Sequence, residues 1–259
     1  MERIKKKGKI MKKNKKGFTL AETLIALTIL GIIAAISLTS IYKHYQRRVV
    51  ATKITEFYRT WEKAFDLSQI ENGPISTWFV DNYNNSDDVD KLIYEKYITP
   101  YLNLINGDNR NSVFRVKNGA NFYEIKQPNG NLFLGGSANP GFYKLKNNIC
   151  IHPNMHTQNG KVTYSRNPST GVTYYGEAYI DINCEQGPNV AGKDAFIFQI
   201  YKNDSTDTMY IAPIGAPNGI STTKINQLKN SCKNGGGHDC AYWVLEEGFN
   251  KIPKDYPWL

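Results

Sequence analysis

The sequence lacks the short motifs that mark common enzymes. It has no Gly-x-Ser-x-Gly elbow, no His-Glu-x-x-His pair and no phosphate-binding loop, so nothing in it sets up acyl transfer, zinc proteolysis or nucleotide chemistry. The glycine run Gly235-Gly236-Gly237 is not followed by Lys-Ser or Lys-Thr and reads as a flexible loop between two cysteines. There is no Cys-x-x-Cys pair, no internal repeat and no low-complexity linker, which sets aside a dithiol redox site and a repeat array. Net charge is also missing from most of the chain. The total is +9, yet residues 1–17 hold Arg3, Lys5, Lys6, Lys7, Lys9, Lys12, Lys13, Lys15 and Lys16 against Glu2 alone. That leaves about +1 from Phe18 onward, so a basic face for nucleic acid has no support in the body of the protein, and no nucleic-acid partner is indicated. What remains is a chain of 259 residues, 41% hydrophobic, able to bury a core in one or two domains.

Behind the lysine run stands the one long apolar stretch, residues 18–41, interrupted by Glu22 and a few hydroxyl side chains. As a helix it rises about 36 Å, enough to cross a hydrocarbon core of about 30 Å. The N-terminal cations outnumber Lys43, Arg47 and Arg48 on the far side, which keeps residues 1–17 in the cytoplasm and sends the rest outside. A secretory signal has a shorter apolar region, about 7 to 15 residues, and then a cleavage site in loop-like sequence. Here the helical pattern continues. Val50, Ile54, Phe57, Trp61, Ala64 or Phe65, and Ser68 recur at steps of three and four, with Lys53, Glu56, Arg59, Glu62 and Lys63 on other faces. The helix is predicted to run to Glu71, where Asn72-Gly73-Pro74 supplies a left-handed cap and a residue unable to continue it.

Lys-Lys-Gly-Phe-Thr-Leu-Ala-Glu-Thr-Leu-Ile-Ala-Leu, residues 15–27, resembles the N-terminal cleavage and methylation signal of type IV pilins and type II secretion pseudopilins. The resemblance covers residues 15 to about 71. It implies that a membrane prepilin peptidase cuts between Gly17 and Phe18 and methylates the new amine, and that Glu22, the fifth mature residue, serves assembly. The implied partners are that peptidase, other pilin or pseudopilin subunits, an inner-membrane assembly platform and membrane lipid. One departure is Thr39 in "ISLTSIY", where the commonest pilins have a proline, which weakens the expectation of a kink there.

Beyond the long helix, "SDDVDKLIYEKYITPYL", residues 86–102, reads as a short helix ended by Pro100. "NFYEIK" and "NLFLGG" flank a turn at Gln127–Gly130 and read as a hairpin; "YYGEAYIDIN", "DAFIFQIYK" and "MYIAPIG" read as strands. Cys150, Cys184, Cys232 and Cys240 all lie past the span, and in an oxidising compartment two disulfides are expected. Cys232 with Cys240 is the natural local pair, which leaves Cys150 with Cys184, although four cysteines allow three connectivities. The competing use is zinc, since Cys150, His152 and His156 lie close in sequence, as do Cys232, His238 and Cys240. In "DINCEQGPNVAGKD", Asp181, Asn183, Glu185 and Asp194 could offer oxygens to calcium, as a head-domain loop does in some pseudopilins. The spacing fails the EF-hand pattern, and a turn built by Asp/Asn side chains with Gly and Pro explains the same residues and is the preferred reading. That stretch and "CAYWVLEEGFNKIPKDYPW" also resemble segments of larger pilin-like heads.

The expected architecture is α+β: a leader at 1–17, a helix at 18–71 with its span at about 18–41, and a head at 72–259 of antiparallel sheet packed on the helix's amphipathic half. The expected role is that of a filament subunit without catalysis or cofactor, calcium being the one ion the residues allow. It would be anchored in the bacterial inner membrane with its head outside, and placed in a type IV pilus or a type II secretion-type pseudopilus after assembly. The alternative is a membrane-tethered extracytoplasmic hydrolase or binding protein on an ordinary signal anchor.

Overall fold

A computed structural model describes residues 17–78, 93–105, 124–134, 143–158, 161–167, 169–184, 186–214, 222–246 and 256. Residues 86–92 of the expected short helix and the ends of three expected strands, 121–123, 135–136 and 215, lie outside the described residues, as does the leader to residue 16. The chain divides into two compact units, Met1–Lys43 and His44–Leu259.

Helix α1 runs from Leu20 to Asn72 without interruption. Within the first unit its large apolar side chains are exposed, from Leu20 through Ile41, and it is long and apolar enough to cross a membrane. Lipid offers no hydrogen bonds, so the few hydroxyls in the stretch must find partners on their own helix. Thr23, Thr28 and Thr39 do so, donating to the carbonyls of Thr19, Leu24 and Ile36 at 3.2, 2.8 and 2.9 Å. The helix passes through Thr39 unbroken, consistent with the absence of proline there.

In the second unit α1 changes character. Its buried residues are Val50, Ala51, Ile54, Phe57, Trp61, Ala64, Phe65 and Ser68, the expected face of a 3.6-residue period. Gly73 takes φ +80°, its N–H bonded to Gln69 O at 3.0 Å, and Pro74 follows, so the predicted left-handed cap is in place. Beyond the cap lie 3-10 turns at Ile75–Thr77 and Thr99–Tyr101, the second containing Pro100 and following helical residues 93–97.

The head is an antiparallel sheet in the order β10 (Thr208–Pro213), β9 (Ala195–Asn203), β8 (Val172–Asp181), β4 (Cys150–Met155), β3 (Tyr143–Lys144), with β7 (Ser165–Asn167) also on β8. Two small hairpins, β1–β2 (Ile125–Lys126, Leu132–Leu134) and β5–β6 (Thr157–Gln158, Lys161–Val162), and two helices, α2 (Thr222–Asn234) and α3 (Cys240–Glu246), complete it. Ala178, Ile180, Phe196, Phe198 and Ile200 line one face of the sheet in the period-2 alternation of strands. That face meets α1: Phe198 lies 5.1 Å from Phe57 and 6.1 Å from Tyr58, ring to ring. Trp61 continues the cluster to Phe65 at 5.7 Å and Tyr94 at 6.2 Å. The result is an α+β, pilin-like fold. Strand β4 is absent from the sequence-based expectation because Pro153 and His152 disguise it. Proline fits there because β3 pairs only with Cys150 and Ile151, so among the described residues no strand lies outside β4 at Pro153 to need its N–H.

The packing predicts a contrast along α1. Phe57→Ala, at a side chain with no exposure, should destabilise the head by about 3 to 5 kcal/mol. Ile70→Ala, at 82% exposure, should stay within about 0.5 kcal/mol. Denaturant unfolding of the two variants measures both.

Candidate functional site

The expected processing point sits on an open stretch of backbone. A Cβ added at Gly17 would meet nothing within 4 Å, and Phe18 is 88% exposed. The fold itself therefore makes no demand for glycine at 17; any such demand comes from a partner that must reach the Gly17–Phe18 bond. Two residues on, the helix start is closed by a capping box. Glu22 Oε2 accepts from both the N–H and the hydroxyl of Thr19, each at 2.8 Å, and Thr19 Oγ1 accepts the Glu22 N–H at 3.2 Å. Sequence reasoning weighed Glu22 only as a charge. The signal for its second role was present as Thr-x-x-Glu directly before an apolar run.

The loop between β8 and β9 brings two of its carboxylates inside. Asp181 ends β8, fully buried, and its Oδ1 accepts the N–H groups of Asn183 and Cys184 at 2.9 and 2.7 Å. The Asn189 amide, oriented nitrogen inward, donates to Asp181 Oδ2 and Gln186 O, both at 3.3 Å. Asp194 Oδ1 accepts from the Val190 N–H at 2.6 Å, and its Oδ2 from the Asn189 N–H and Asn183 Nδ2 at 2.9 and 3.4 Å. Burial, with Asp194 nearby, pushes the Asp181 carboxyl up to about 8 despite the two N–H donors; burial raises Asp194 as well. These side chains do the work of a structural turn. Asn183 Oδ1 is buried with no donor among the described residues, and Glu185 lies outside them. Among the described residues no group of three or more His, Cys, Asp or Glu converges as a metal site needs.

Both cysteine pairs are bonded, Cys150 to Cys184 and Cys232 to Cys240, which leaves no thiolate for the zinc alternative. His156 Nε2 instead lies 3.2 Å from Glu177 Oε2, on the sheet. The first disulfide pins the β8–β9 loop to the start of β4. The second closes the glycine run, which is packed rather than simply flexible. Gly237 has φ +81°, and a Cβ there would stand 2.4 Å from Ala191 O. Next to it His238 meets Phe133 of β2 edge-on at 4.4 Å, and Tyr256 donates its hydroxyl to Gly192 O. Three loops distant in sequence thus share one buried junction around Ile125, Cys150, Cys184, Ala191 and Ala195.

Residues 12–38 match the prokaryotic N-terminal methylation motif, so the chain carries a type IV pilin-like prepilin signal. Residues 40–259 match a family described as of unknown function, DUF6613. No curated protein and no solved structure matches the chain. The motif spans the capped helix start and most of the exposed apolar half of α1, and it points to a processed, membrane-anchored structural subunit rather than an enzyme.

The Asp181 carboxyl makes a pH-dependent contribution with a fixed sign. Its folded pKa of about 8 lies above the ordinary carboxylate value of 3.8, so between the two the folded state holds a proton that the unfolded state has lost. Its contribution is therefore full at low pH and fades as pH rises through about 8. Asp181→Asn keeps the Oδ1 acceptor and cannot ionise. Its melting temperature relative to wild type should climb from pH 5 to pH 8.5, and calcium should leave both proteins unchanged. A parallel pH dependence would show Asp181 ionised throughout, and a calcium-dependent rise lost in Asp181→Asn would show that the loop takes the ion.

Proposed function

We propose, from the premise that the chain belongs to the family of unknown function DUF6613 and carries a prokaryotic N-terminal methylation motif, that it is a filament subunit of a type IV pilus or a type II secretion-type pseudopilus. In this reading a prepilin peptidase cuts at Gly17–Phe18 and methylates the Phe18 amine. An inner-membrane platform then extracts the subunit from the bilayer into a thin filament held together through its N-terminal helix. The leader lies in the cytoplasm and the head outside, where an oxidising compartment suits its two disulfides. No cofactor takes part. The observation that carries the reading is the methylation motif lying across a helix start that is capped and exposed and that leads into a helix long and apolar enough to cross a membrane.

Glu22 has two tasks in this account. A carboxylate inside a membrane helix costs about 2.5 to 3.5 kcal/mol at the centre, less near the interface, and needs compensation. Before assembly the capping box supplies part of it, satisfying first-turn N–H groups that lipid would leave bare. During assembly the carboxylate of one subunit meets the Phe18 ammonium of its neighbour, which neutralises both charges in a low dielectric. The two tasks separate by substitution, because glutamine closes a capping box as glutamate does but carries no charge.

Glu22→Gln and Glu22→Val should both be inserted and cleaved yet remain in the membrane fraction. Thr19→Ala, which loses the cap at about 1 kcal/mol but keeps the charge, should still enter sheared filaments. If Glu22→Gln assembles like wild type, the charge has no docking role. Gly17→Val should leave the head's melting temperature unchanged and abolish processing, read as a larger species on immunoblots. Deleting the gene and scoring surface fibres against exoprotein secretion assigns the filament.

A further inference from the structure

A half-open pocket of about 390 Å³ lies on the head where β7, β8 and β9 come together with the 3-10 turn after α1, and every residue lining it belongs to the unit His44–Leu259. Its volume is at the small end of the range of about 300 to 1,000 Å³ for ligand sites, fitting a ligand of one or two sugar rings. Charge decides what it can accept. Arg166 Nε donates to Asp204 Oδ2 at 3.0 Å, and the Thr173 hydroxyl donates to Asp204 Oδ1 at 2.6 Å. Lys202 Nζ stands 3.1 Å from Asp207 Oδ1 and 3.8 Å from Asp204 Oδ1, and the Ser76 hydroxyl donates to Asp207 Oδ2 at 2.5 Å. The Thr173 hydrogen bond first, and the Arg166 pair after it, hold Asp204 below the usual carboxylate range, so it is ionised near neutrality. Asp204 within the pocket answers Arg166, and Asp207 behind the lining answers Lys202, so the two cations are compensated. An anion entering the pocket would face Asp204, and a cation would face Arg166 and Lys202.

Charged pairs of this kind suit hydroxyl groups, which donate and accept at once. The Arg166 side chain is 64% exposed, with donors beyond Nε, and the Asp204 carboxylate has lone pairs to accept in return. The pocket rim adds an aromatic platform. Tyr164 is 63% exposed, and its centroid lies 5.8 Å from the buried Tyr175. The negative face of such a ring attracts polarised C–H groups, which a pyranose presents on one side while its hydroxyls point outward. We infer that this pocket binds a neutral sugar, with the C–H face of one pyranose ring on Tyr164 and its hydroxyls shared between Arg166 and Asp204. The inference does not depend on filament assembly and adds a recognition function to the head.

Saturation-transfer NMR on the full chain, held in a zwitterionic detergent without a sugar headgroup, tests it. The probes are glucose, galactose and N-acetylglucosamine, the neutral disaccharides lactose and chitobiose, and the anionic glucuronic and N-acetylneuraminic acids. Saturation of at least one neutral sugar is expected. Its affinity should fall on the order of tenfold in Tyr164→Ala, the loss of one good ring contact, and persist in Tyr164→Phe. Arg166→Ala should weaken it too, and all three variants should melt with wild type because both side chains are largely exposed. A disaccharide binding more tightly than its monosaccharide identifies a glycan end as the source; equal binding identifies the free sugar. Absence of any neutral-sugar signal, preference for the anionic probes, or a signal indifferent to Tyr164→Ala overturns the inference.

Discussion

Tilted and edge-on aromatic contacts, centred where one face of α1 meets one face of the sheet, hold the head together. Phe57 and Tyr58 reach Phe198 from α1, Trp61 reaches Tyr94 and Phe65, and the alternating Ala178, Ile180, Phe196 and Ile200 fill in beneath. A helix face of this kind must be covered, or it would expose aromatic surface to water. The same helix begins with large apolar side chains that are exposed, in a stretch long and apolar enough to cross a membrane. Both kinds of surface fall on one helix from Leu20 to Asn72.

The head also depends on a second, smaller buried centre. The β8–β9 loop turns on Asp181 and Asp194, each satisfied by N–H donors, and is tied by Cys150–Cys184 to the sheet. Gly237 fits against Ala191 only because it has no side chain, and Tyr256 closes the far side by bonding Gly192 O. These contacts join segments from 34 to 64 residues apart in sequence. In the chain-entropy view, the disulfides reduce the freedom of the unfolded chain most where the loop closed is longest.

How legible each part was in the sequence follows from how local its cause is. The buried face of α1, Val50 to Ser68, could be read residue by residue, because a 3.6-residue period is a property of neighbours along the chain. β8, β9 and β10 could be read for the same reason, through alternation. β4 could not: Pro153 argues against a strand unless the length of its neighbour β3 is known, and that is a tertiary fact. The glycine run at 235–237 looked like slack, since its close approach to Ala191 involves a residue more than forty positions away. At the amino-terminal site the charge on Glu22 was legible and its capping partner Thr19 was equally so, but a capping box is not sought where a membrane span is expected. The 181–194 loop was recognisable as oxygen-rich, while the direction in which those oxygens face depended on backbone N–H groups that only the folded loop positions.

The central claim is that the apolar half of α1 is a processed mature terminus rather than a permanent anchor or a discarded signal. Mass spectrometry of the N-terminal peptide, on protein extracted from membranes of cells that contain a prepilin peptidase, addresses it directly. The account predicts a terminus at Phe18 with a methylated amine. A terminus at Met1, or one created by cleavage near Ser37 or Ser40, would contradict it.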